Sequence, residues 1–385
     1  MANTLNLGTD GNWATKEDSL LAYNSENGNF KPLPFDFTRA SSATVVNKDG
    51  LIETVGSGEP RIDFSNDAKG ALLLEPSRSN LVSYSEDLSV LSKVSVGNAS
   101  APITTSNYGI SPDGTMTATR VVFDLNGGTT NQDRSILRQS ISSGDYYFSI
   151  YVKSTNGVEQ KDMWHDGSEF NTTTVTSEWV RITYDSRDAV SWGGIALNGT
   201  SGVDSSDILV WGFQVEVGNV SSYIPTQGSI QTRVAETASG SGNSEVFNDS
   251  EGVLYFEFKN TDTSNYKLIS ISDGTINNRI FIGTRLSTGY IYYYVVSGGV
   301  NQALYISTQL AYNFTKVAVK YKANDFSFWI NGLKVSTDST GSTPIGLDSL
   351  KFNGGSGTLD FYGKTKEIGY YNTVLTDAEL QALTT

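Results

Sequence analysis

The chain has 385 residues, 38% of them apolar, and a formal charge of −14. Single cores stop growing beyond about 250 to 300 residues, so two or three domains are expected, each with enough apolar material to bury a core. With no cysteine and one histidine, a disulfide framework and a thiolate–imidazole zinc site are excluded, and the acidic balance disfavours nucleic acid and anionic lipid as partners.

No apolar run approaches the roughly 20 residues of a membrane helix, so no membrane insertion is expected. The start, Met1-Ala2-Asn3-Thr4-Leu5, has neither a basic region nor an apolar signal core. The expected history is synthesis in the cytoplasm followed by release on lysis.

Thirty-eight glycines and 20 tyrosines, with short alternating runs cut by Gly, Asn, Asp and Ser, predict an all-β protein. Residues 1–85 are irregular, carry Pro32, Pro34, Pro60 and Pro76, and lack the periodicity of a large core. Clearer strands follow in 86–235, at Tyr146 to Lys153, Trp179 to Tyr184 and Ile208 to Val217. In the first, Phe148, Ile150 and Val152 share one face and Tyr147, Ser149, Tyr151 and Lys153 the other. Residues 236–250 are rich in Gly, Ser and Asn and read as a linker. Residues 251–385 then carry many short strands, with Asn331-Gly332 predicting a type I′ hairpin turn. Thr376 and Glu379 predict a capping box that opens a terminal helix. The pattern is that of an irregular N-terminal segment followed by two antiparallel β-sandwiches.

Two sets of strings carry a resemblance. Phe37-Thr38-Arg39-Ala40-Ser41-Ser42-Ala43-Thr44, Gly50-Leu51-Ile52-Glu53, Pro60-Arg61-Ile62-Asp63, Ala71 through Pro76, and Asn80-Leu81 through Asp87 resemble the module near the start of phage tail-fibre and head-spike proteins. Phe148 through Ser154, Ile208 through Glu216 and Ser222 through Thr226 resemble the carbohydrate-binding-like jelly-roll sandwich that follows it. Phe328-Trp329-Ile330-Asn331-Gly332 and Glu367 through Leu380 resemble concanavalin-like or laminin-G-like sandwiches of phage adhesins. The resemblance implies a virion appendage that docks on other virion proteins through residues 1–85 and binds host surface polysaccharide. It also implies a homo-oligomer, with a trimer favoured, displayed on the particle surface.

The chemistry on offer is that of binding. A Ser-His-Asp triad would need His165 as its base, and no Gly-x-Ser-x-Gly elbow accompanies it. The Glu-x-Asp-x-Glu strand of concanavalin-like hydrolases is also missing, so no catalytic residues are expected. Glycans are held by rings that stack on sugar CH surfaces beside polar groups. That requirement singles out Tyr147 and Tyr151, with Trp164, Asp166 and Trp192 as possible extensions of their platform, and Trp329 as either a platform or a packing residue. Tyr290, Tyr292 and Tyr294 alternate with Ile291, Tyr293 and Val295, so both faces of that strand carry rings and one must be core. No cofactor is required, although Asp262, Asp273 and Asn277 lie in loops that could offer oxygens to Ca2+. Two other readings compete with the adhesin: a purely structural capsid or tail decoration, and a polysaccharide depolymerase.

Overall fold

The structure is a computed structural model that describes residues 5–8, 13–16, 19–24, 29–32, 35–65, 67–156, 160–165, 170–261, 266–286 and 288–385. Apart from the terminal helix Asp377–Thr384 and a short 3-10 turn, its regular elements are strands, paired antiparallel. The chain divides into two compact units. The first comprises Met1–Asp49, Val55–Pro76 and Val234–Thr385, and the second Gly50–Thr54 and Ser77–Arg233.

The first unit is a two-sheet sandwich. One sheet runs, in spatial order, Leu333–Asp338, Phe326–Ile330, Thr315–Lys322, Glu251–Asn260, Gly363–Tyr371, Ala71–Leu74 and Arg61–Asp63, with Leu5–Leu7 also paired to Gly363–Tyr371. The other runs Val300–Leu310, Tyr290–Ser297, Arg279–Thr284, Lys267–Ser272, Ser349–Lys351, Thr237–Ser241 and Asp36–Thr38. Strand alternation puts Leu254, Phe256, Val317, Val319 and Phe328 of the first sheet against Ile269, Ile271, Ile280, Ile282, Tyr293 and Val295 of the second. The helix covers the back of the first sheet, over Val253, Tyr255, Trp329 and Tyr371. Its predicted capping box is present, with the Thr376 side chain accepting from the Glu379 N–H and the Glu379 carboxylate accepting from the Thr376 N–H. Asn331 and Gly332 both have positive φ, 46° and 79°, as a type I′ turn requires.

Two expected boundaries differ from what is observed. Residues 1–85 do not stand apart, because Leu5–Leu7, Asp36–Thr38, Arg61–Asp63 and Ala71–Leu74 are strands of this sandwich. Residues 236–250 are not a plain linker either. Thr237–Ser241 pairs with both Asp36–Thr38 and Ser349–Lys351, and Phe247 is buried in the core.

The strings that resemble the phage module converge on one buried ion network. Glu236 accepts from Arg39 Nη1 at 2.7 Å and from Arg61 Nε and Nη2 at 2.8 and 2.5 Å, while Arg61 Nη2 also reaches Glu75 at 2.8 Å. Arg61 Nη1 donates to the Thr44 carbonyl, and the Glu75 N–H donates to Glu236. All four charged side chains are buried, so each charge is tolerable only because the others neutralise it. Glu75 and Glu236 bracket the whole stretch Ser77–Arg233. The Glu236 N–H donates to the Glu75 carbonyl at 3.1 Å, so the chain leaves the first unit and returns to it at adjacent points.

The second unit is built on one hydrogen-bonded sheet: Ser100–Gly109, Ala118–Asp124, Ser205–Glu216, Arg134–Ser154, Val180–Asn198, Gln160–His165 and Phe170–Val175, with Ser92–Val96 also on Arg134–Ser154. The two long strands change neighbours midway. Arg134–Arg138 lies beside Ser92–Val96, whereas Tyr147–Ser154 lies beside Ser205–Glu216. Leu137 from one half and Phe148, Ile150 and Val152 from the other meet Val121, Ile195, Leu197, Val210, Phe213 and Val215 in one core. Gly193 is required there, since a Cβ would lie 2.0 Å from the Phe148 ring.

Candidate functional site

Where the inner face of a sheet is core, its outer face must present whatever lies between the core positions. In the second sheet of the first unit, register places Lys351, Ser270, Phe281, Tyr294 and Leu304 side by side across five strands. The neighbouring rows are Ser349, Ser272, Arg279, Val296 and Asn301 on one side, and Leu268, Gly283, Tyr292 and Ile306 on the other.

The rings form a continuous cluster. Phe281 stacks on Tyr294 with centroids 5.1 Å apart, and Tyr292 meets Phe281, Tyr294 and Tyr266 edge-on at 5.5, 5.6 and 6.1 Å. These are the spacings at which aromatic pairs attract. The Arg279 guanidinium lies 4.7 Å from the Phe281 ring centroid. Phe281 and Tyr292 are buried in the cluster, while Tyr266, Tyr294 and Ile306 are partly exposed and Leu304 is 47% exposed. Burial, with the neighbouring Tyr266 and Tyr294 hydroxyls, raises the Tyr292 phenol well above its ordinary value, so it stays a neutral donor.

A glycine-rich loop walls one side of this face. Ser270 Oγ donates to the Asn353 carbonyl at 2.8 Å, Arg279 Nη1 to the Gly354 carbonyl, and Lys351 Nζ to the Gly355 carbonyl at 3.2 Å. Gly355 and Gly357 have φ of 101° and 83°, which lets the loop double back so that Gly354 N–H reaches the Thr358 carbonyl. The result is a row of partly exposed rings and aliphatic side chains beside fixed polar groups. Such an arrangement can stack a pyranose CH face and hydrogen-bond its hydroxyls.

The residues singled out from sequence lie mostly elsewhere. Tyr147 and Tyr151 do share the outer face of their strand, both half-buried, but Tyr151 is not an open platform. Arg181 lies 5.5 Å from its ring, and it packs edge-on to Trp211 at 5.7 Å. Trp211 in turn packs under Tyr223 at 4.5 Å, so Trp211 is buried on this outer face. The segment Ser221–Thr226 folds back here. Glu216 accepts from the Ser221 N–H, Gln214 Oε1 from the Ile224 N–H at 2.6 Å, and Arg181 donates to the Ser221 carbonyl at 2.8 Å.

Trp192 is opposite Ser140, whereas Tyr147 is opposite Asp185. Six residues, with two breaks in the register, separate Ser140 from Tyr147 along the strand, so Trp192 and Tyr147 are not cross-strand neighbours. Trp192 stacks with Arg138, 5.0 Å from its ring centroid. Trp164 lies in Gln160–His165, opposite Ile195 and Asn171, and Asp166 lies outside the described residues.

Trp329 takes the packing alternative, since it is buried beneath the terminal helix with its indole N–H on Ser327. Asp273, one of the oxygen donors put forward for Ca2+, sits in a turn that it fixes itself. Its carboxylate already accepts from the Thr275 N–H and hydroxyl at 2.8 and 2.6 Å and from Asn278 at 2.9 Å, which fixes the turn. The Asn277 carbonyl accepts from Gly299 N–H, and Asp262 lies outside the described residues. No His, Cys, Asp and Glu grouping suited to a metal occurs among the described residues.

Sequence reasoning passed over Tyr266, Arg279 and Phe281. A signal was present in the alternation Arg279-x-Phe281-x-Gly283 beside Tyr292-x-Tyr294, which places rings outward on two consecutive strands.

No protein-family model matches the chain, and no curated protein matches it. Among solved structures, it is similar to the CBM40 domain of the Ruminococcus gnavus IT-sialidase, at 18% identity over 38% of this chain and 94% of that one, with a TM-score of 0.33. It is also similar to a putative carbohydrate binding protein from Bacteroides ovatus, at 14% identity over 68% and 78% of the two chains, with a TM-score of 0.27. A third is the pair of LG4-5 domains of mouse laminin alpha1, at 10% identity over 65% and 87%, with a TM-score of 0.23.

Proposed function

We propose that this chain is a non-enzymatic glycan-binding protein displayed on a phage particle, and that it holds host surface polysaccharide on the outer aromatic face of its first unit. The observation that carries the proposal is the cluster Tyr266, Phe281, Tyr292 and Tyr294, assembled outside the core and flanked by a loop fixed by four hydrogen bonds from the sheet. The virion assignment rests on the resemblance of the strings through Asp87 to phage appendage modules. Attachment to other virion proteins is assigned to residues 1–85, which carry those strings. Single-site affinity for sugar is weak on such a shallow face, and a trimeric assembly raises it by avidity.

Screening the purified chain against bacterial surface polysaccharides tests the proposal. Selective retention, reduced about tenfold or more in Tyr294→Ala, is expected from the loss of a stacking ring worth roughly 1.4 kcal/mol. Retention unchanged by Tyr294→Ala removes the site from this face, and release of reducing ends on long incubation identifies an enzyme instead.

A specific observation favours one competing reading, that of structural decoration. Between Arg285 and Lys316 no residue is charged, and Leu304, Leu310 and Tyr312 are exposed. Such a surface suits contact between copies of an acidic chain. Under that reading Leu304→Asp dissolves the oligomer in light scattering and leaves glycan retention absent throughout.

A further inference from the structure

The aromatic face is bracketed by two cations. Arg279 and Arg285 stand at the two ends of the outward series that runs through Phe281 and Gly283, and Tyr292 is the cross-strand partner of Gly283 between them. Among the described residues neither makes an ion pair. Arg279 spends one N–H on the Gly354 carbonyl, and its Nε–H is buried without an acceptor. This is unusual in a chain with 41 acidic and 27 basic residues, where a carboxylate partner is easily found. Among the described residues of its rows, the remainder of the face is free of charge apart from Lys351, whose ammonium is turned to the Gly355 carbonyl.

We infer that the face selects an acidic glycan, one whose sugar rings stack on Tyr294 and Tyr266 while a ring carboxylate is received by Arg279 or Arg285. The inference rests on the glycan-binding reading of this face. A guanidinium fork matches a carboxylate in two parallel hydrogen bonds, and an unpaired, partly desolvated arginine gains more from such a partner than a solvated one. The overall charge of −14 does not forbid it, because at physiological salt a charge is felt over about 8 Å and no carboxylate belongs to the rows of this face. Burial lowers the Arg279 pKa from its ordinary value, which marks a cation short of compensating charge.

The test is calorimetric titration of the full chain with a hexuronic-acid oligosaccharide and with the same oligosaccharide after carboxyl reduction. The expected result is a preference of tenfold or more for the acidic form, shrinking as salt is raised. That preference should collapse toward parity in Arg285→Gln and in Arg279→Gln, each checked by near-UV dichroism for an intact fold. Arg285→Gln is the cleaner variant because it leaves the contact between Arg279 and the loop in place. Equal affinity for the two oligosaccharides overturns the acidic selection and leaves the glycan site standing. Binding of neither, across uronate and neutral sugars alike, overturns the glycan reading itself.

Discussion

Glu236 shows how one residue can decide a unit's stability. Its carboxylate is fully buried between Arg39 and Arg61 and also receives the Glu75 N–H. Glu236→Gln removes the charge that offsets two buried guanidiniums, and a broken buried pair of this kind costs about 3 to 5 kcal/mol. Urea unfolding of the first unit is expected to show that loss, and a change under 1 kcal/mol contradicts the network's role. In the second unit, Glu216 is held well buried by Gln214 and Ser221, and desolvation raises its pKa above the ordinary 4.5. A carboxyl with a raised folded pKa contributes stability that is fully present below about 4.5 and is lost as pH rises through the folded value. Glu216→Gln, which keeps an acceptor for Ser221, is therefore expected to flatten the decline in melting temperature of that unit from pH 4 upward. A variant whose decline matches the wild type would show that the proton is not held there.

At the level of elements, what could be read from sequence was whatever local chemistry decides alone. The turn at Asn331-Gly332 and the Thr376 capping box were legible because positive φ and an orphan N–H are satisfied within four residues. Thr376→Ala is expected to cost about 1 kcal/mol and to loosen the helix over Trp329, measurable as faster amide exchange at Leu380. The alternation of Phe148, Ile150 and Val152 was equally plain, and these residues do enter the core. The partners of Tyr151 were not legible, because the segment that covers its face returns from Ser221–Thr226, some 70 positions away in the chain. Strands Asp36–Thr38 and Thr237–Ser241 also escaped notice. Each is too short for a pattern, and they exist only because they pair with one another across nearly 200 residues.

At the scale of the whole molecule, the chain is a sandwich interrupted by a second domain, not a string of domains. The first unit is completed only when residues after 233 return to pair with those before 77. Composition could suggest more than one core but not this interruption, since the glycine- and serine-rich stretch after Arg233 looks the same as a linker or as a strand. Each unit has its own core, so two calorimetric transitions are expected. Phe148→Ala should lower one by about 3 to 5 kcal/mol, and Glu236→Gln should lower the other, whereas a single transition moved by both variants contradicts independent cores. The functional claim is that the outer face of the first unit holds the sugar. Mapping amide chemical shifts of the chain during titration with a retained polysaccharide fragment tests it most directly. Shifts concentrated at Arg279–Thr284, Tyr290–Ser297 and the Asn353–Leu359 loop are expected; shifts confined to Tyr147, Tyr151 and their neighbours would contradict a site on this face.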